Sequence, residues 1–174
     1  MSLASRRNGL KVRGFRVKRG TGIGEYKLTD VFSGLEFSSS LAKVVGSKSH
    51  LAKIMKHLKL RVESNDSGLW FDRDTGTICI GSKHLCGAKS EFLYLDVIHV
   101  LVHVCQFLEG RDLYDQAFEY VERPTELEAY RYTVAEARKV GLEESEILRY
   151  LRMDAADDSE LGKLMDRIGV KARR

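Results

Sequence analysis

Residues 92–108 read Phe-Leu-Tyr-Leu-Asp-Val-Ile-His-Val-Leu-Val-His-Val-Cys-Gln-Phe-Leu, apolar almost all the way round a helix. A helix of that kind belongs inside a protein, covered on every side. Helical spacing continues downstream and predicts helices over about 90–109, 124–140, 143–153 and 158–168. The first part of the chain alternates instead. Leu10-Lys11-Val12-Arg13 and Phe15-Arg16-Val17-Lys18 interleave apolar and basic side chains, the period of a half-exposed strand. A Gly-rich turn at 20–24 follows, without the Gly-Lys-Ser/Thr ending of a phosphate loop, and 26–37 reads as a returning extended stretch.

Ser38-Ser39-Ser40 supplies helix N-cap candidates ahead of Leu41. The apolar positions of 41–59 keep a helical period interrupted at Gly46, predicting one broken helix or two short ones. His50 and His57 share a face there among lysines and read as solvated. Residues 60–80 read as a hairpin region with turns at 65–68 and 72–76, and 77–80 as its closing strand. Strands first and helices afterwards predict an α+β fold: small N-terminal β-hairpins or an antiparallel sheet, then a helical bundle. The organisation expected is a basic β segment over 1–37 and an α+β body over 38–174, together one compact unit.

Composition adds limits. The 174 residues are 43% hydrophobic and 31% charged, in the range of an ordinary folded domain. No continuous apolar run approaches the roughly 20 residues of a membrane span, and MSLASRRNG lacks the core of an export signal. Cys79, Cys86 and Cys105 have no CxxC spacing, which argues against a disulfide framework and for a reduced, cytoplasmic protein. The net charge of +4 is unevenly placed: residues 1–19 carry basic side chains and no acid. Arg13, Arg16, Lys18 and Arg19 are therefore the residues that would meet phosphates, were the chain a nucleic-acid-binding module.

The apolar helix has four polar exceptions: Asp96, His99, His103 and Gln106. A buried polar group without a partner costs about 1–3 kcal/mol, so they need a reason. At 100° per residue they fall within about 80° of one another, a single stripe. His99 and His103, four apart, can bring two imidazoles to one metal ion. Asp96, one turn earlier, can accept the other N–H of His99. A metal-free polar stripe bonded to a neighbouring element is the simpler alternative. His84, just before the helix, is a loop histidine or a source of a fourth ligand.

His99-Val100-Leu101-Val102-His103-Val104 resembles the active-site helix of the zincin metallopeptidases, whose pattern is H-E-x-x-H. In the gluzincin branch a glutamate on the next helix completes the zinc site. That resemblance implies Glu128, in Glu128-Ala129-Tyr130, as the third ligand and Glu126 as a weaker or supporting candidate. Thr125 and Glu128 also have the spacing of a capping box, a purely structural use of the same carboxylate. The resemblance covers about residues 40–141, with the 77–80 strand expected beside the cleft.

Val100 stands where the family places its general-base glutamate. A positioned base is worth about 10²–10⁴ in rate, so the resemblance implies a scaffold with weak or no peptidase activity. It would hold zinc through His99, His103 and Glu128 and act by binding a peptide or protein partner. A nucleic-acid- or phosphate-binding module on the same scaffold is the alternative. Nothing in the pattern specifies an oligomeric state.

Overall fold

The 19-residue helix α5 (Ser90–Leu108) is the element around which the rest is arranged. A computed structural model describes residues 14–171, so Arg13, the 10–13 stretch and the last three residues lie outside it. The fold is α+β: among the described residues every strand lies in the first half, interspersed with short helices, and the second half is helical. By length and composition α5 could cross a membrane, an exception to the expectation of no such segment, but most of it is buried inside the protein.

Among the described residues the strands form two small sheets. β1 (Arg16–Val17) pairs antiparallel with β3 (Phe32–Ser33). β2 (Gly24–Lys27), β4 (Lys59–Glu63), β5 (Leu69–Asp72) and β6 (Thr77–Gly81) form the second, in the order β2-β4-β6-β5. β5 and β6 are the expected hairpin, turned at 72–76, where the Asp72 side chain accepts from the Asp74 and Thr75 amides. β4 does not join them as a meander. It runs parallel to β6, and β5 is left as the outer strand. β6 is buried along its whole length, as an inner strand should be.

The 26–37 stretch is not one strand. β2 ends at Lys27, a single turn α1 (Leu28–Val31) follows, and Gly34 at φ 86° bends the chain after β3 into a 3₁₀ turn over Leu35–Phe37. Only glycine fits at 34: a Cβ there would meet the Gly14 and Phe15 backbone. Leu28, Val31, Phe32 and Leu35 are buried in the same core as the helices.

The interrupted helix resolves into α2 (Ser39–Val44) and α3 (Lys48–His57), parted by Gly46 at φ 84°. Ser38 caps α2 by accepting from the Leu41 amide. Residues 82–87, which carried no helical signal, form the short helix α4 (Ser82–Gly87), so His84 lies on a helix and not in a loop. Then come α6 (Pro124–Lys139), α7 (Glu144–Asp154) and α8 (Asp158–Ile168). Asp157 caps α8 through the Glu160 amide.

A buried carboxylate ties the two halves together. Glu136 of α6, 2% exposed, accepts from Tyr94 Oη of α5 at 2.6 Å, and from the hydroxyls of Ser40 in α2 and of its cap Ser38. Three donors from two elements satisfy a charge that would otherwise be costly to bury.

Candidate metal centre

α5 turns its polar stripe toward α6, and there three ligand atoms meet. His99 Nε2 and His103 Nε2 are 3.0 Å apart; Glu126 Oε2 lies 3.2 Å from the first and 3.3 Å from the second. All three side chains are buried. A triangle with these edges has a circumradius of about 1.8 Å, so points lying the usual 2.0–2.1 Å from every corner exist. The group could hold a metal ion.

The carboxylate in this cluster is Glu126, not Glu128. α6 starts at Pro124 with Arg123 as the capping residue, and no Thr125–Glu128 capping box forms. Counted from that start, Glu126 falls on the buried face with Ala129, Tyr130, Thr133 and Ala137. Glu128 is turned about 200° away. Its carboxylate instead accepts from Gln106 Nε2 at 2.9 Å and from the Arg111 guanidinium.

Glu128 nevertheless reaches the centre through one intermediary. The Gln106 amide donates to Glu128 and to the Thr125 carbonyl at 3.0 Å, which turns its oxygen to His103 Nδ1 at 2.8 Å. His103 Nδ1 is therefore the donor, and its Nε2 lone pair faces the other two ligand atoms. This orienting role had been expected of Asp96 toward His99. Asp96 does not take it, because its carboxylate is paired with His84 Nε2 at 2.7 Å. His99 Nδ1 is buried with no hydrogen-bond partner among the described residues. Its ring is held by edge-on packing against Tyr130, centroids 4.5 Å apart.

Burial alone would raise the Glu126 carboxyl, but its contacts with the His103 and His99 imidazoles outweigh it and hold the pKa down to about 2. Burial pulls the other way on His99, disfavouring its charged form; the Glu126 carboxylate overcomes this, and the net shift is upward. The carboxylate thus stays ionised at neutral pH, the form a cation needs. At His84 the hydrogen bond to Asp96 dominates and raises the imidazole, with burial opposing.

The cluster opens on a cleft of about 380 Å³. Its walls include Leu69, Trp70 and Phe71 of β5, with Val100, His84 and Tyr114. The strand beside the cleft is thus the outer strand β5 and not 77–80, which is β6 and lies inside the sheet. Tyr114 Oη donates to the Phe71 carbonyl at 3.2 Å, and the Arg73 guanidinium lies 4.6 Å from its ring centre. Val100, 3% exposed, presents an aliphatic surface beside His99 and His103. Cys105 faces elsewhere in the core, its thiol pushed up to about 11 by burial.

The basic N-terminal residues are not a uniform free surface. Arg16 and Lys18 are exposed, but the Arg19 guanidinium closes the end of α4, donating to the Leu85 and Cys86 carbonyls and to Ser90 Oγ at 3.0–3.2 Å.

Glu126, Glu128 and Asp96 stand otherwise than the letters placed them, and the letters gave Gln106 no role. The signal for Glu126 was its place on the 126-129-130-133-137 stripe, and for Gln106 its position one turn after His103. No known protein-family profile, curated protein or solved structure matches this chain.

Proposed function

We propose that the chain is a zincin-like metal-binding protein, a catalytically impaired metallopeptidase homologue that acts by binding a peptide or protein partner in the cleft beside β5. The observation that carries this reading is the convergence of His99 Nε2, His103 Nε2 and Glu126 Oε2 within 3.3 Å in a buried site. Two imidazoles and a carboxylate are a donor set that suits zinc. Such an ion would polarise a bound carbonyl or water. The outer strand β5 offers backbone groups to an extended peptide, and the cleft offers apolar walls from Trp70 and Leu69. With valine at 100, the position that would take a proton from an attacking water has no acceptor.

The test is the metal content and melting of protein purified without a histidine tag. About one zinc per chain is expected. At a hundredfold excess over Kd, zinc should add about 2.7 kcal/mol of stability, an upward Tm shift of about 5–10 °C. Metal-free protein whose melting ignores added zinc would overturn the proposal.

A further inference from the structure

A second hollow, about 390 Å³, shares Phe71 with the histidine cleft as a lining residue but contains none of the ligand residues. It is apolar inside: Ile54 and Leu58 line it from α3 and its end, Val104, Phe107 and Leu108 from the last turns of α5. Phe107 is 38% exposed and Leu108 65% exposed, although α5 is otherwise the most buried helix of the protein. Covering side chains of this size contributes on the order of 1.5–3 kcal/mol each.

The charged side chain that lines the hollow is a lysine, Lys53. His50, Lys53 and His57 border the hollow. Between Glu36 and Glu63 the sequence has no acid, and Lys43, Lys48, Lys53, Lys56 and Lys59 are all exposed. No carboxylate among the described residues forms an ion pair with any of the five. Lysines without carboxylate partners on and around α3, one of them lining a concave apolar surface, select for a partner that is apolar along one stripe and acidic beside it.

We propose that this groove docks an acidic amphipathic helix of a partner protein. A helix presents apolar side chains at i, i+3, i+4 and i+7 as a ridge, the shape that fills an apolar groove. Its flanking carboxylates would lie against Lys53 and Lys56. A nucleic acid would use the lysines and leave the apolar lining uncovered. A membrane surface favours apolar side chains that protrude, whereas Phe107 is folded against Phe71, ring centres 5.2 Å apart. The docking site contains none of the three residues of the metal centre.

The experiment is selection of a displayed random-peptide library on the full chain, followed by affinity measurement of the enriched sequences as synthetic peptides. Enriched peptides are expected to carry apolar residues at helical spacing flanked by Asp and Glu. Leu108→Asp should weaken them by about tenfold or more, and Lys53→Glu/Lys56→Glu by about three- to tenfold with a flatter salt dependence. Both sites are exposed, and circular dichroism melting confirms that each variant folds; if Leu108→Asp does not, the lysine variant decides. Zinc and chelators should leave the affinity unchanged, so this proposal and the metal site fail separately. The absence of enrichment, enriched peptides without acidic residues, or affinity insensitive to these substitutions overturns the proposal. So does loss, in the same variants, of binding to duplex DNA or to phosphatidylserine vesicles in place of peptide.

Discussion

Glu126 and Glu128 stand two residues apart on α6 and serve one centre from different distances. The first meets both histidine Nε2 atoms directly; the second holds Gln106, which orients His103. Substitution should separate the roles. Glu126→Gln is expected to lower zinc affinity by well over a hundredfold, since a charged ligand is lost. Glu128→Gln should cost about tenfold, the low end of the range for groups that orient ligands. Competition against a fluorescent zinc chelator measures both, and an equal or inverted effect would refute the assignment.

The Val100 position offers a gain-of-function test. In zinc-loaded Val100→Glu protein, hydrolysis of unfolded casein should rise by about 10²–10⁴ over wild type. Burying the new carboxylate costs stability, so zinc content and melting are checked first. A folded, zinc-loaded variant with no increase would show that the cleft is not arranged for this chemistry; brisk wild-type hydrolysis would show that it never lacked a base.

Glu136 predicts a stability effect far from the cleft. Glu136→Ala leaves Tyr94 Oη and the Ser38 and Ser40 hydroxyls without their shared acceptor. A loss of about 3 kcal/mol is expected, against about 1–2 kcal/mol for Tyr94→Phe, which removes one donor only. Urea unfolding distinguishes them. Equal and small losses would mean that water enters the site.

The His84–Asp96 pair sets a pH dependence of definite sign. The folded His84 pKa lies above its ordinary 6.5, so the folded chain holds that proton more tightly than the unfolded chain. Its contribution is complete below about pH 6.5 and fades as pH rises through the raised folded value. Wild type should therefore exceed Asp96→Asn in stability most clearly near pH 6, with the gap narrowing by about pH 9. A gap that widens with pH would contradict the pairing.

Much of this architecture is legible in the letters because local chemistry agrees with it. The period of α5 through α8, the Ser38 cap and the Asp72–Gly76 turn are all local signals, and each element formed within a residue or two of expectation. Long-range choices are not written that way. No feature of Leu60 or Val62 announces that β4 pairs parallel with β6, because the pairing follows from where the core needs two buried strands. The carboxylate that meets the two histidines was expected at 128 for a related reason. A motif of letters weighs Glu126 and Glu128 by their neighbours, whereas the helix weighs them by phase, and Pro124 sets that phase. Asp96 found a partner in α4, a helix that Ser82–Gly87 does not advertise.

The placement of α5 has a consequence for synthesis. Its covering comes from both directions along the chain: α2 and β5 precede it, and α6 follows. During translation the nineteen-residue segment therefore leaves the ribosome before its later cover exists, with the length and greasiness of a bilayer span. For that interval the unfinished polypeptide exposes an apolar helix, and a product truncated near residue 110 is expected to be found in inclusion bodies or bound to lipid.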